Sequence, residues 1–368
     1  MRVGTSIRCN APWKKKTDND ARAGSLGRFP DGETISSFGK TSGVGAVIGA
    51  RLPLAVAVGF DVSGRIAVFA PAAGADLSAL GPCEVISPLR PVHDHFEALG
   101  LTCRTAAEGR YAAAVVCVPR AKAEAHVLIA QACAATDGVV VIDGQKTDGI
   151  DSIRKETRKR TDVTEAINKA HGKLFWMQAS DAFADWAQGP ALTDGGFWTG
   201  PGVFSADGID PASEMLAAAL PDKLGKQVAD LGAGWGFLSA HILTRSDVEA
   251  VHLVEAHHLA LECARRNVTD PRAQFHWADA TRWAPKGRID TVVMNPPFHT
   301  TRNADPSLGQ AFVAAAARVL TPQGTLWMVA NRHLPYETAL EQQFARVEDV
   351  GGDGRFKLTR ATKPKRRT

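Results

Sequence analysis

The sequence predicts an α/β protein of two tandem domains, each a mostly parallel sheet with helices on both faces. Three observations carry this. Short β-branched and apolar runs alternate with stretches of helical period, the pattern of strand–crossover–strand units. The alternation pauses near residue 195 and restarts, more clearly, after Phe197. A length of 368 residues, 45% of them hydrophobic and 22% charged, suffices for two cores of ordinary size.

Residues 1–45 are rich in Gly, Ser, Lys and Asp without a sustained apolar period, and are expected to form a disordered extension. In the first domain, residues 46–195, strands are expected at Leu54–Phe60, Arg65–Phe69, Ala113–Val118 and Val139–Ile142, with a helix at Lys122–Ala135. The second domain, residues 196–368, opens with strand Gln227–Leu231, helix Gly236–Thr244, strand Ala250–Glu255 and helix His258–Asn267. Strands Ala273–Trp277 and Ile289–Asn295 follow, then helix Gln310–Leu320 and strand Gly324–Ala330. Helix Tyr336–Phe344 and strands Arg346–Val350 and Phe356–Arg360 complete it before a basic tail.

Bulk properties exclude several classes. The net charge of +4 fits a nucleic-acid partner without requiring one, because phosphate affinity comes from a local basic face. Arg154–Arg160 and the C-terminal tail are the two candidate faces. The six cysteines are scattered with no C-x-x-C pair, which argues against a disulfide framework or a zinc site. His93-x-His95 and His257-His258 have no carboxylate or thiol at ligand spacing, so no metal is expected. No run approaches the ~18 apolar residues of a membrane span, so a cytoplasmic protein with no membrane partner is expected.

The first strand–helix junction of the second domain reads Val228-Ala-Asp230-Leu-Gly232-Ala-Gly234-Trp-Gly236. Glycines let a backbone turn tightly and approach a ligand at a helix N-terminus. A dinucleotide fingerprint needs a third glycine where Phe237 stands; the observed G-x-G-x-G after an acid is the methyltransferase pattern. Asp230 is placed to take an ammonium group or orient the loop, Glu255 to take both ribose hydroxyls, and Asp279 to accept from an adenine amino group. All three sit at strand ends, where ligands of such sheets bind. Each acid alone would be an ordinary loop residue; three in register with the glycine loop are not.

The fourth strand ends Asn295-Pro296-Pro297-Phe298. Two prolines supply no backbone N–H, so the turn presents carbonyls. The Asn295 amide oxygen and the Pro296 carbonyl can both accept from one NH₂ group, aligning its lone pair on a methyl donor and stabilising the positive charge that grows on nitrogen. Phe298 offers a face on which an extruded base can stack. The plain alternative is an edge turn with a core aromatic.

These residues make the C-terminal half resemble the bacterial ribosomal RNA guanine-N2 methyltransferases, above all the small-subunit enzyme. The likeness also rests on the segment Pro201-Gly-Val-Phe204-Ser205-Ala-Asp207-Gly208-Ile-Asp210, on His299 and on Gly354-Arg-Phe-Lys357. It is strong over 197–360 and weak over 113–144. The resemblance implies two tandem Rossmann-like methyltransferase domains. The N-terminal one is degenerate and binds no cofactor; the C-terminal one is a seven-stranded class I methyltransferase sheet. It implies S-adenosyl-L-methionine as cofactor, with Phe204 in the segment that closes over it, and Asn295, Pro296 and Phe298 as catalytic residues. The implied partner is ribosomal RNA or the small ribosomal subunit, with the chain acting as a monomer. The implied reaction is methylation of a guanine N2 in 16S ribosomal RNA. Alternatives are a large-subunit (23S) guanine-N2 enzyme, a protein glutamine N5-methyltransferase, a nucleotide oxidoreductase, and an RNA-binding module with a relic cofactor site.

Overall fold

The computed structural model describes residues 48–61, 63–297 and 306–365. The expected extension 1–45, Phe298, His299 and the last residues of the basic tail lie outside the described residues.

The first half begins with helix α1 (Leu52–Ala57), where a strand was expected over Leu54–Phe60. The reason lies in burial. Pro53 occupies the first turn, and Leu52 and Ala55, three residues apart, are buried while Val58 is exposed. The apolar run therefore packs with a helical period, and the β propensity of its valines is overridden. Strands β1 (Ile66–Phe69), β2 (Glu84–Ile86), β3 (Thr102–Arg104), β4 (Tyr111–Cys117), β5 (Thr136–Gln145), β6 (Ile167–Lys169) and β7 (Gly172–Gln178) form one sheet. Helices α2 (Arg90–Ala98), α3 (Lys122–Ala135) and α4 (Ile150–Thr157) connect them. A small pair, β8 (Ala191–Leu192) and β9 (Trp198–Thr199), leads into the second half.

The second half runs α5 (Pro211–Ala219), β10 (Gln227–Leu231), α6 (Phe237–Ile242), β11 (Ala250–Glu255), α7 (His258–Asn267), β12 (Ala273–Trp277) and β13 (Ile289–Met294). Then come α8 (Pro306–Val319), β14 (Leu320–Asn331), α9 (Glu337–Gln343), β15 (Phe344–Gly352) and β16 (Phe356–Pro364).

Each half contributes a seven-stranded sheet, in the orders β3-β2-β1-β4-β5-β7-β6 and β12-β11-β10-β13-β14-β16-β15. Read strand for strand, the two orders are the same. In both, the first five strands pair in parallel and the last two pair antiparallel. The expected tandem architecture is thus observed. The strand order reverses between β10 and β13, which opens a crevice at their carboxyl ends.

The central strands are covered on both faces, which is why they read as continuous apolar runs. In β10, Val228 packs with Leu216, Leu238 and Leu261 of α5, α6 and α7, while Ala229 and Leu231 pack with Phe312 and Ala316 of α8. The first half repeats the plan, with α1 and α2 on one face and α3 and α4 on the other.

The two sheets belong to one compact unit. The Pro88–Arg90 turn of the first half joins the loop after β11. The Arg90 amide donates to the Ala256 carbonyl at 2.9 Å and the His258 amide to the Pro88 carbonyl at 2.7 Å. The Trp277 indole donates to the same Pro88 and Ala256 carbonyls, and its ring lies edge-on to His93 and His258.

Candidate active site

The register of the second sheet sets the site. Leu231 is level with Val254, Asp230 with Val293 and Glu255 with Trp277. Carried one or two residues further, Gly232, Glu255 and Asn295 leave three neighbouring strands at one height, roughly 5 Å apart from strand to strand.

After β10 the chain turns through Gly232, Gly234 and Gly236, all with positive φ. At Gly236 (φ +91°) a Cβ would meet Val268 Cγ2 at 2.8 Å, so only glycine lets α6 start against α7. At Gly234 (φ +55°) nothing lies within 4 Å of a Cβ position, so the loop's upper side is open to a ligand. The Gly232 amide donates to the Val254 carbonyl at 2.8 Å.

Glu255 clamps this loop. Its Oε2 accepts from the Gly234 amide at 2.8 Å and its Oε1 from the His257 amide at 2.7 Å. Burial pushes the pKa of this carboxyl above the usual carboxylate range, and the backbone donors partly offset that. Asp230 is wholly buried; its Oδ2 accepts from Ser239 Oγ at 2.7 Å, and its Oδ1 has no partner. Burial pushes its pKa up to about 7, with the Ser239 bond acting the other way and the nearby Glu255 adding to the rise. A buried carboxylate oxygen without a donor, beside an open glycine loop, is what a cationic ligand head would satisfy. Asp279 follows β12; its Oδ1 caps the Thr281 amide and hydroxyl at 2.8 and 2.7 Å, leaving Oδ2 for another donor. The set of acceptors therefore fits a ligand with an ammonium, a diol and an aromatic amine.

Phe204 is exposed, but its carbonyl accepts from the Trp235 indole at 3.1 Å, which ties the 201–208 segment to the glycine loop. Asn267 secures the same corner, donating to the carbonyls of Trp198 and Trp235.

Asn295 is half-buried, and Pro296 behind it is buried. The Asn295 Nδ2 donates to Asp210 Oδ2 and to Ser213 Oγ, both at 2.9 Å. A carboxylate oxygen can only accept, so this orientation is forced and Oδ1 is left as the acceptor. Asp210 also caps α5, accepting from the Ser213 amide at 2.8 Å. Sequence reasoning gave no role to Asp210, Ser213 or Ser239. Asp-Pro-x-Ser is visible as a helix start, but nothing local pairs it with Asn295.

Outside the crevice, two readings change. Arg160 forks onto Asp185 and covers Trp186, and Arg154 reaches Glu165 and the Thr164 carbonyl, so both serve the fold. Among the described residues, Lys155, Arg158 and Lys159 make no ion pair, and they line one basic cavity with Arg154 and with Lys173, which pairs with Asp151 of the same lining. His93 does have a carboxylate one helical turn on, Glu97, at a spacing the sequence offers, and a thiol, Cys103, that spacing did not reveal. Its Nε2 meets the Ser87 carbonyl at 2.8 Å and its ring packs on Trp277, a structural setting. Among the described residues no helix is long and apolar enough to cross a membrane.

Comparison with known proteins places this geometry. The methyltransferase small domain family matches residues 194–360. A ribosomal RNA small subunit methyltransferase C from Hahella chejuensis is 30% identical over 243 residues, 60% of this chain and 68% of that protein. A ribosomal RNA large subunit methyltransferase G from Aeromonas hydrophila is 31% identical, over 44% of each chain. Among solved structures, the T. thermophilus 16S rRNA N2 G1207 methyltransferase, in complex with AdoMet and guanosine, superposes with a TM-score of 0.72 at 25% identity. The match covers 85% of this chain and 91% of that one.

Proposed function

The chain belongs to the ribosomal RNA small subunit methyltransferase C family, and on that premise we propose that it methylates the exocyclic N2 amine of a guanine in 16S ribosomal RNA, using S-adenosyl-L-methionine. One observation supports the choice of reaction above the others. Asn295 leaves β13 level with the glycine loop, its amide nitrogen committed inward and its oxygen left to accept.

The roles follow from the set of acceptors. When bound, S-adenosyl-L-methionine supplies an electrophilic methyl group. Asp230 takes the ammonium, Glu255 the ribose hydroxyls and Asp279 the adenine amine, under the segment that holds Phe204. Asn295 Oδ1 and the Pro296 carbonyl accept the two hydrogens of the target amine, which fixes its lone pair and stabilises charge developing on nitrogen. No base of low pKa is needed, since the amine proton becomes acidic only after transfer. Phe298 follows directly and is assigned to stack on the base.

Catalysis is assigned to residues 196–368, and residues 46–195 to RNA docking without a cofactor. Guanine N2 takes part in pairing, so the base must be unpaired or flipped. Lys155, Arg158, Lys159 and Lys173 are suited to hold the surrounding phosphates, which makes binding salt-sensitive. The small subunit is preferred to the large because the methyltransferase C relative aligns over 68% of its length and the methyltransferase G relative over 44%. A glutamine N5 enzyme fits less well, as the first half is α/β and not a small helical domain. We assign the enzyme to the cytoplasm, working as a monomer.

The test is mass mapping of ribosomal RNA from a deletion strain, together with labelled methyl transfer in vitro. Loss of one N2-methylguanine from 16S RNA, restored by the purified chain, is expected, with no turnover of free guanosine. Nucleoside binding alone does not discriminate; equal methylation of guanosine and ribosomal RNA refutes the reading.

A further inference from the structure

We propose that Asp210, held in place by the Ser213 amide, is a positioning residue that fixes which end of the Asn295 amide faces the target amine. This rests on the assignment of Asn295 as the acceptor for that amine.

An asparagine amide is nearly symmetric in shape but opposite in hydrogen bonding at its two ends. Turned one way, Asn295 accepts from an NH₂ group; turned the other, it sets N–H against N–H and blocks the approach. Nothing in Asn295 itself chooses. The choice is made 85 residues earlier in the chain, at the start of α5. Both Nδ2 hydrogens are used there, one on a carboxylate oxygen and one on a hydroxyl. Turning the amide over would break the bond to Asp210 and set Oδ1 against Asp210 Oδ2, whereas the Ser213 hydroxyl, able to donate as well as accept, would bond either end. A bond to a charged acceptor is the stronger kind, so Asp210 carries most of the bias. The Ser213 amide donates to the same Asp210 oxygen, and Asp210 is the N-cap of a nine-residue helix, so the carboxylate is itself held in place.

The first half shows what this position does when no ligand is to be held. Arg51 precedes α1 as Asp210 precedes α5, and it is wholly buried. Its guanidinium forks onto Asp143 of β5, level with the end of β4, and donates to the Lys169 carbonyl. There the helix-start residue closes the carboxyl edge with an internal ion pair. In the second half it turns a strand-end amide outward.

The experiment uses the full chain, methyl transfer to 16S ribosomal RNA and calorimetric cofactor titration. Asp210→Ala is expected to lower kcat about 10- to 100-fold, with KM for RNA and cofactor Kd within about threefold. Ser213→Ala is expected to cost several-fold. Since Asp210→Ala also removes a helix cap, a swap separates positioning from folding. Asn295→Asp sets two carboxylates against each other and should lose about 100-fold or more in kcat. Adding Asp210→Asn, which keeps a capping residue, lets the introduced amide donate to the introduced carboxylate and should recover at least about tenfold. A merely structural role would give no such recovery. Asp210→Ala with kcat within threefold of the parent, or a double variant no better than Asn295→Asp, overturns the proposal. If instead Asn295→Ala itself keeps near-parental turnover, the assignment of Asn295 fails.

Discussion

Glu255 clamps the glycine loop and is proposed to take the ribose hydroxyls, which makes its amide variant a sharp test of the cofactor site. Both oxygens already accept a backbone donor, Gly234 at 2.8 Å and His257 at 2.7 Å. Glu255→Gln keeps the size but turns one acceptor into a donor, so one of those N–H groups must face another N–H. That bond exists in the free protein as well, so its loss counts against loop order and not against binding. The ribose diol loses a charged acceptor, about 1.5–3 kcal/mol. This corresponds to a Kd for S-adenosyl-L-methionine raised about 10- to 10²-fold, at 1.36 kcal/mol per decade. Asn295 is bonded to α5 and not to this loop, so kcat at saturating cofactor should stay within about threefold. Calorimetric titration and saturation kinetics read the two quantities separately. A Kd within threefold of the parent refutes the assignment of Glu255. So does a loss that appears in saturated kcat alone.

Asn295→Ala should lose methyl transfer by about 10² or more while cofactor affinity, measured by calorimetry, stays within a few-fold, because no bond of the glycine loop involves it. Cofactor affinity should rise with pH up to about 7 and level above it, since Asp230, pushed up to about 7 by burial, must ionise to pair with an ammonium. The sign is fixed by linkage: the free native acid retains a proton that the cationic ligand expels, and Asp230→Asn should flatten the profile. One cofactor per chain is expected by calorimetric stoichiometry, and a value of two would overturn the assignment of the site to the second half.

Much of the second half was legible because its central strands are buried on both faces. Gln227–Leu231, Ala250–Glu255 and Ala273–Trp277 appear with the boundaries their apolar runs suggested, as does the helix His258–Asn267. The first half was harder for physical reasons. β2 and β3 have three residues each, too few for a period, and the valines around Val56 sit in a helix selected by the burial of Leu52 and Ala55. At the site, the strand-end acids and glycines could be read because parallel strands end at one height. The partners of those groups could not. The Gly234 amide reaches Glu255 across two strand ends, Ser239 reaches Asp230 from α6, and Asp210 reaches Asn295 from another element. Trp277, at the end of a strand, joins the two halves, a role that depends on a turn 189 residues away.

The shared strand order lets the first half serve as a control for the second, position by position. The Ala70 amide donates to the Ile86 carbonyl at 2.8 Å, as the Gly232 amide donates to Val254 at the same distance, so the two turns begin alike. Ala70 even keeps the positive φ of Gly232. From there the halves diverge in chemistry and not in fold. Pro71 follows with no N–H to offer, and the helix that should start after the turn is reduced to the single 3₁₀ turn Ser78–Leu80. Without a helix N-terminus there is no cluster of free amides to draw a carboxylate. Ser87 stands at the height of Glu255, and Cys117 at the height of Asn295. Arg51, in the place of Asp210, turns inward to Asp143. Both halves bury apolar residues on two faces of the sheet, while Gly232, Glu255 and Asn295 are matched by Ala70, Ser87 and Cys117 at the same heights of the first half. Packing constrains residues by shape, and the same shape was needed in both halves. Ligand chemistry constrains only the crevice that still holds a ligand.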